Sequence, residues 1–250
     1  MSVTLSIITI NYNNADGLRK TMQSVLDQDY SDFEYLVIDG GSTDGSKEVI
    51  EDFLNNHPNS SKITYWCSEK DGGIYPAMNK GIAHALGQHI GILNSGDVFC
   101  KNVLDIVGEC AVCNTDKILY GCSALYKGEE FDYVYGPNHI DICRNMIPHE
   151  SAFVPKSVYE KYGTYDETYK IAADYEAFIR YYLAGVEFQF IDLLVGRFYQ
   201  DGISSTNEKL LYEENKRLRK AHGIYVNPRK QFFVTFLPRL GRYIKKIIKG

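Results

Sequence analysis

Residues 5–39 read LSIITINYNNADGLRKTMQSVLDQDYSDFEYLVID and predict the unit from which the fold is built. The opening LSIITINY is apolar and β-branched, which is typical of a buried strand. A helix is predicted over 17–28, where apolar residues recur at helical spacing, and either Asn14 or Asp16 could cap it. A second strand follows at 33–39. Strand, helix and strand in this order indicate a parallel pair with a right-handed crossover.

The same alternation continues through the first 100 residues. Ser42 to Asp44 can open a helix within GGSTDGSKEVIEDFL. A strand is predicted at 63–69, a helix at 75–86, and another strand in HIGILNSGDVF (89–99), whose apolar start gives way to polar residues. Alternating strands and helices predict an α/β fold with a mostly parallel central sheet flanked by helices.

The second half of the chain has a less regular pattern. Apolar and aromatic runs predict strands at 117–126, 131–137, 151–156 and 187–200. Helical spacing predicts helices at about 173–184 and at 208–223. The sequence shows no internal repeat and no Pro/Ser linker, so we expect one domain whose second half is elaborated.

The composition indicates a globular protein. The 250 residues are 44% apolar, which is enough for a substantial core. No uncharged apolar run approaches the roughly 20 residues of a membrane-spanning helix, and Met1 leads into a strand pattern without a signal peptide, so a cytoplasmic location is expected. The six cysteines are scattered, and the single CxxC, Cys110 and Cys113, lacks the second pair of a zinc site, so we expect reduced thiols.

The charge of the chain is divided unevenly. The net charge is −5, but the 36 residues after Glu214 contain 11 Lys and Arg and no acid. In the tail at 228–250, apolar residues from Phe236 keep helical spacing, basic residues occupy the other face, and Pro238 suits a first turn. A basic amphipathic helix predicts binding to an anionic membrane surface, and docking on the acidic body is the alternative.

Polar loops follow the strands of the predicted sheet. The loops are NYNN (11–14), DGGSTDG (39–45), SEKDGG (68–73) and NSGD (94–97). Because ligands gather beyond the carboxyl ends of parallel strands, these loops predict a ligand site, although turns use the same residue types. The carboxylate of Asp39 could accept hydrogen bonds from a nucleoside.

Asp97 ends a buried strand, where a lone carboxylate is costly unless it is satisfied. A divalent cation bridging to phosphate oxygens would satisfy it. The alternative is that Asp97 caps a helix beginning near Lys101, and spacing alone does not separate the two. The sequence lacks GxGxxG after the first strand and lacks GxxxxGK[ST], which disfavours NAD and excludes P-loop nucleotidases.

Two long stretches resemble the GT-A fold glycosyltransferases of family 2, in particular bacterial enzymes that build surface polysaccharides. They are SIITINYNNADGLRKTMQSVLDQDYSDFEYLVIDGGSTDGS and SEKDGGIYPAMNKGIAHALGQHIGILNSGD, and the resemblance resumes at KYGTYDETYKIAADYEAFIRYYLAG. It implies a Rossmann-like GT-A domain at 1–227, with a nucleotide-sugar-binding half at 1–100 and an acceptor half at 101–227. The tail at 228–250 lies outside that domain.

The resemblance implies a donor-binding role for five residues. Asn11 stands where the family usually has a Thr that contacts the nucleoside, and Tyr12 and Asn13 complete that motif. Asp39 would meet the base or ribose. Asp71 lies in the loop that closes on the base.

NSGD stands where the family carries its Asp-x-Asp metal motif, and here the sequence departs from the pattern. Asn94 and Gly96 replace two carboxylates, so Asp97 remains as the ligand of a divalent metal, Mn²⁺ or Mg²⁺. Asn94 and Ser95 are assigned to substrate binding. The expected consequence is a weaker metal site or assistance from His149.

The resemblance also implies the reaction, which is inverting transfer of a sugar from a nucleoside diphosphate to an acceptor hydroxyl. Asp174 matches the Asp of the family's Glu-Asp motif, with Ala173 in place of the Glu, and would be the general base. A carboxylate at a helix start could instead complement the helix dipole. Glu150 is the second candidate base, His149 is assigned to substrate or metal, and Lys80 is a possible auxiliary cation.

The expected partners are a nucleotide-sugar donor, UDP-linked by the family's habit, and a glycan or lipid-linked acceptor, with no nucleic acid. The tail at 228–250 would hold the enzyme at the inner membrane face. Two rival functions are a sugar-phosphate nucleotidyltransferase, which would need a phosphate loop rich in glycine and arginine near the first strand, and a non-catalytic protein that binds nucleotide sugars.

Overall fold

The computed structural model describes residues 3–136, 138–199 and 207–224. The strands are β1 Leu5–Asn11, β2 Phe33–Asp39, β3 Ile63–Ser68, β4 His89–Ile92, β5 Val98–Phe99, β6 Ile118–Lys127, β7 Glu130–Tyr135, β8 Ala152–Pro155 and β9 Phe188–Tyr199. The helices are α1 Ala15–Leu26, α2 Ser46–Asn56, α3 Ile74–His84, α4 Val103–Cys113, α5 Lys156–Tyr162, α6 Ala173–Leu183 and α7 Glu208–Ala221.

The strands of the described ranges form one curled sheet. Its order is β3-β2-β1-β4-β8-β6-β9-β5, with β7 paired to the outer side of β6. β1 to β4 pair in parallel, as do the long strands β6 and β9, whereas β8, β5 and β7 join antiparallel. The predicted α/β fold with a mostly parallel sheet flanked by helices is confirmed.

β1 is buried on both faces because helices cover both sides of the sheet. Ile7 packs in a core with α1, α2 and α4, while Ile8 packs in the opposite core with α3 and α6. Alternate side chains of a strand point to opposite faces, so a continuous apolar run is the pattern that a doubly covered parallel strand requires. The run LSIITIN therefore specifies a central strand.

α1 shows why the loop after β1 turns where it does. Asn14 is the N-cap and its side-chain oxygen accepts a hydrogen bond from Gly17 N at 3.1 Å. Leu18, Met22 and Val25 follow at helical spacing and are fully buried. Of the two predicted caps, Asn14 is therefore confirmed, whereas Asp16 lies inside the first turn.

The structure contradicts the interpretation of Asp97 as a helix cap. α4 begins at Val103, and the N–H groups of Val103 and Leu104 donate to Gln28 Oε1 at 2.9 and 3.3 Å. A side chain from α1 thus performs the capping that a residue near the helix could have performed. The short elements β5 and α5 have no counterpart among the elements predicted from sequence.

The tail predicted to be amphipathic, 228–250, lies outside the described residues. Within the ranges that are described, no helix combines the length and apolarity needed to cross a bilayer.

Candidate active site

Three polar residues lie side by side at the carboxyl ends of the first three strands. Asn11, Asp39 and Ser68 are the last residues of β1, β2 and β3, and the parallel registers place them opposite one another. Asn11 Nδ2 donates to Asp39 Oδ1 at 2.7 Å, and Ser68 Oγ donates to Asp39 Oδ2 at 2.6 Å. The predicted polar edge is therefore a connected hydrogen-bonded row.

Asp39 is the centre of this row. It also accepts hydrogen bonds from the backbone N–H of Ser42 at 3.0 Å and from its hydroxyl at 2.5 Å. Burial alone would raise the pKa of Asp39, but the hydrogen bonds from Ser42, Ser68 and Asn11 outweigh it and lower the pKa. Asp39 is therefore a fixed anion beneath the loops.

The loops above Asp39 converge on Gly40. A Cβ on Gly40 would lie 3.0 Å from Asp71 Oδ2 and 3.2 Å from Cδ2 of the Tyr12 ring. Tyr12 is 68% exposed, so its ring stands open to solvent beside this point. Asn13 has φ 49°, and its side-chain oxygen accepts a hydrogen bond from Thr43 N at 2.9 Å. An aromatic ring and a carboxylate thus flank a point of bare backbone.

A second cluster forms where α6 and the 3₁₀ turn at His149–Ser151 approach the end of β4. His149 Nδ1 is 3.2 Å from Asp174 Oδ2, and the other oxygen of Asp174 accepts a hydrogen bond from the Tyr75 hydroxyl at 3.1 Å. On the far side of the ring, His149 Nε2 is 3.1 Å from Asn94 Nδ2. Asp174 is held from two sides.

His149 has a charge that suits this position. Burial would lower the pKa of His149, but the hydrogen bond and charge of Asp174, with Glu150 and Asp97 nearby, raise its pKa to about 9. An imidazolium donates from both ring nitrogens, so we expect the Asn94 amide to present its oxygen to Nε2. That orientation also gives a partner to Asn94 Oδ1, which is otherwise buried without one.

Two further carboxylates are buried beside this histidine. Asp97 is 5% exposed and Glu150 is 6% exposed. Burial raises the pKa of Asp97 well above its ordinary value, and Glu150 adds to the rise, against the Tyr199 N–H and His149, which lower it. Burial likewise raises the pKa of Glu150, opposed by His149. The cluster has more buried acids than neighbouring cations.

This imbalance makes the cluster a plausible host for a divalent cation. Among the described residues, no group of three or more His, Cys, Asp or Glu side chains is arranged to hold a metal ion. Mg²⁺-type sites, however, commonly use one or two carboxylates and complete the shell with water and substrate phosphates. Asp97, whose Oδ1 accepts only a backbone hydrogen bond from Tyr199 at 3.1 Å, fits such a ligand.

Two predicted site residues have local partners. Lys80 Nζ forms an ion pair with Glu69 at 2.9 Å. Ser95 accepts a hydrogen bond from Asn14 Nδ2 through its backbone oxygen at 3.0 Å, so it joins the loop after β4 to the loop after β1. Their assignments to the substrate stay predictions.

The structure adds three polar residues that sequence reasoning did not single out. Tyr75 reaches Asp174 from α3, and Ser42 and Ser68 fix Asp39. Ser42 and Ser68 lie in loops that the sequence marked as polar, so they could have been chosen. Tyr75 carried no signal, because an aromatic residue at a helix start is ordinary core.

Comparison with known proteins identifies the family. Residues 6–173 match the profile described as Glycosyl transferase family 2, which is more than half of the chain. The chain belongs to glycosyltransferase family 2. It is a glycosyltransferase, and the resemblance found in the sequence is confirmed.

Relatives of this glycosyltransferase agree with the assignment. An uncharacterized glycosyltransferase of Mycobacterium tuberculosis (strain CDC 1551 / Oshkosh) is 36% identical over 187 residues, covering 71% of this chain and 68% of the relative. Glycosyltransferase GlyG of Streptococcus pneumoniae serotype 4 is 30% identical over 143 residues, covering 57% of this chain and 46% of GlyG.

Solved structures show that the fold is GT-A. S. aureus TarS 1-349 in complex with UDP-GlcNAc superposes with a TM-score of 0.65 at 18% identity, covering 78% of this glycosyltransferase and 58% of TarS. The mannosyltransferase PcManGT from Pyrobaculum calidifontis in complex with GDP-Man and Mn²⁺ gives a TM-score of 0.66 at 16% identity, covering 93% and 67%. At such identities the likeness shows the fold alone.

Proposed function

We propose that this glycosyltransferase transfers a sugar from a nucleoside diphosphate to an acceptor hydroxyl with inversion, using Asp174 as the general base. The observation that carries the proposal is the pair of contacts on the Asp174 carboxylate, from His149 on one oxygen and Tyr75 on the other. They hold the carboxylate beside the end of β4, the strand next to β1. A base that is fixed in this way can meet a hydroxyl in one orientation.

The donor would lie over the carboxyl ends of β1 to β3. Asp39 is the acceptor for hydroxyl or N–H groups of the nucleoside, and Asn11 and Asn13 fix its neighbourhood through their hydrogen bonds. The exposed ring of Tyr12 and the carboxylate of Asp71 flank Gly40, where a flat base could approach the backbone. Asn94 and Ser95 then face the ribose or sugar.

In the transfer step, the acceptor oxygen attacks the anomeric carbon while the bond from that carbon to the diphosphate oxygen breaks. The proton of the hydroxyl passes to Asp174, and the electron pair of the broken bond leaves with the diphosphate. A divalent cation, Mn²⁺ or Mg²⁺, bound with Asp97 would stabilise the charge on the diphosphate. His149 remains protonated and orients Asp174, Glu150 is the reserve base, and Lys80 is a second-line cation.

The finer assignments have narrower support. A UDP-sugar carrying a hexose or N-acetylhexosamine is the preferred donor, since the TarS neighbour is in complex with UDP-GlcNAc, whereas PcManGT is in complex with GDP-Man. The acceptor we propose is a glycan or lipid-linked hydroxyl in cell-surface polysaccharide synthesis. The protein would act in the cytoplasm, and residues 228–250 would bring it to the inner membrane face.

Substitution of Asp174 tests this proposal. We expect Asp174→Asn to keep its melting temperature and its affinity for UDP but to lose about 10²–10⁴-fold in the turnover number for transfer, the usual contribution of a general base. Turnover would be followed by UDP release from UDP-sugars in the presence of Mn²⁺ and an acceptor glycan. Asp192→Asn, an exposed Asp on β9, is the matched control and should resemble the wild type.

Two outcomes would contradict the proposal. If Asp174→Asn turns over like the wild type, Asp174 is not the base. If the wild type binds UDP in a calorimetric titration but releases none from any UDP- or GDP-sugar, the chain is a non-catalytic nucleotide-sugar-binding protein.

A further inference from the structure

The start of α6 is held by a carboxylate from a distant part of the chain. Glu214 of α7 accepts hydrogen bonds from three consecutive backbone N–H groups, those of Lys170 at 2.7 Å, Ile171 at 3.0 Å and Ala172 at 3.0 Å. Ala172 is the N-cap residue of α6 and has no side chain that can cap it. Glu214 therefore supplies the acceptors that the helix start lacks.

The position of Glu214 on α7 is unusual for an acid. Glu214 is 6% exposed and lies on the same helix face as Leu218, which is fully buried. A buried carboxylate is costly unless donors satisfy it, and here three N–H groups at the positive end of a helix do so. Replacing the acid by an apolar residue would leave those N–H groups without acceptors.

α7 contacts the same segment on both sides of Glu214. Arg217 donates to Thr168 Oγ1 at 2.6 Å, and its guanidinium lies 4.2 Å from the centroid of the Tyr169 ring. Further along, His222 Nε2 is 2.9 Å from Glu176 Oε1. One face of α7 thus holds the chain from Thr168 to Glu176, and Asp174 lies within that span.

We propose that Glu214 is a positioning residue for the transfer reaction, which fixes the backbone at 170–172 so that Asp174 meets His149 and Tyr75 in a single orientation. The inference rests on the proposed role of Asp174 as base. Asp174 is two residues beyond the last N–H that Glu214 binds, so a shift of that backbone moves the base directly. Displacement of a catalytic group by about 1 Å can cost on the order of 10²-fold in rate.

Glu214→Gln tests the proposal, because it keeps the shape of the side chain but removes the charge and one acceptor. We expect the turnover number to fall about 10–100-fold, while the KM for the donor stays within about twofold because the donor-binding residues at the ends of β1 to β3 are untouched. Glu213→Gln makes the same change at the neighbouring, exposed position of α7 and should match the wild type. A turnover number for Glu214→Gln within twofold of the wild type would overturn the proposal.

A double-variant cycle separates this role from general stabilisation. If Glu214 acts through Asp174, adding Glu214→Gln to Asp174→Asn should slow the residual transfer no further. If the two losses multiply, Glu214 acts elsewhere and the proposal fails. If instead Asp174→Asn alone turns over normally, it is the base assignment that fails.

Amide hydrogen exchange gives a readout that needs neither activity nor a folded variant. In the wild type, the amides of 170–172 should be protected to the same degree as the interior of α6. Exchange of these amides at the rate of an unbonded loop would overturn the hydrogen bonding on which the inference depends. In Glu214→Gln, faster exchange confined to 168–176 is expected, and unchanged exchange there would also count against it.

Discussion

Asp97 and Glu150 are two acids in a place where folding alone would prefer apolar or neutral side chains. Both are almost completely buried, and each raises the pKa of the other. His149 is the cation that the described residues bring closest to them. Residues that are retained at a cost in stability are typical of sites selected for function. The cost should be visible in the protein without metal.

Asp97→Asn should therefore stabilise the metal-free protein. We expect the free energy of unfolding at pH 7 in EDTA to rise by about 1–3 kcal/mol, since a buried charge with one hydrogen bond is replaced by a neutral amide of the same shape. The folded pKa of Asp97 is raised, so the destabilisation grows as pH rises above the unfolded value and vanishes below about pH 4. Urea denaturation at pH 4 and pH 7 measures both parts.

Addition of Mn²⁺ with UDP should reverse the order. The wild type should gain melting temperature and Asp97→Asn should not, because the variant lacks the anionic ligand. Asp192→Asn serves as the control for loss of one exposed carboxylate. Equal Mn²⁺-dependent shifts in the wild type and in Asp97→Asn would remove Asp97 from the metal site.

The loop from α3 into β4 shows how a single element is fixed from its amino end. Glu34 at the start of β2 is 2% exposed and accepts hydrogen bonds from Ser6 Oγ at 2.6 Å and from Leu86 N at 2.5 Å. Gly87 N in turn donates to Ser6 Oγ at 2.7 Å. This network fixes the point at which β4 enters the sheet. The loop that carries Asn94 and Asp97 leaves β4 at its other end.

Gly87→Ala should destabilise this element. A Cβ on Gly87 would lie 2.5 Å from Ser6 N and 2.6 Å from the carbonyl carbon of Leu5, and backbone atoms of a central strand cannot easily move aside. We expect a loss of about 1–3 kcal/mol in the free energy of unfolding, the usual cost of overpacking. Chemical denaturation followed by circular dichroism would measure it.

The adjacent Leu86→Ala is the matched control. Leu86 is 65% exposed, so its truncation should change the free energy of unfolding by no more than about 0.5 kcal/mol. If Gly87→Ala were as stable as Leu86→Ala, the close approach of β1 to this loop would be wrong.

At the scale of the molecule, the uneven charge predicts where the enzyme works. The first 214 residues contain 16 Lys and Arg against 32 acids, whereas the remaining 36 residues carry only positive charge. Anionic membranes attract basic segments by about 1 kcal/mol per Lys or Arg near the surface. The acidic body should be repelled by the same surface, so the tail would have to carry the binding.

Liposome flotation with and without residues 228–250 measures this. The full chain should float with anionic vesicles at low salt, lose most of that binding in neutral vesicles or at high salt, and lose it when the segment is removed. Replacing Lys245, Lys246 and Lys249 by Gln should weaken flotation while leaving the apolar face intact. Equal recovery of the full and shortened chains with anionic vesicles would refute anchoring, and the tail would then be expected to dock on the acidic body.

The sequence by itself determined the framework and the edge of the sheet where the site lies. Runs such as LSIITIN can only be strands covered on both faces, and loops such as NSGD had to follow them, because period-2 burial and turn chemistry are local properties. It also placed Asp174 at a helix start and Asn14 at a cap, since both depend on neighbours within a few residues.

Only the tertiary structure decided which side chains meet. His149 reaches Asp174 across 25 positions of sequence, Tyr75 reaches it across 99, and Glu214 reaches Ala172 across 42. Gln28 capped α4 where Asp97 was the local alternative. Hydrogen bonds between distant residues depend on how the helices pack on the sheet, and no periodicity records that. The sequence therefore indicated the acids of the site, and the fold showed what holds them in place.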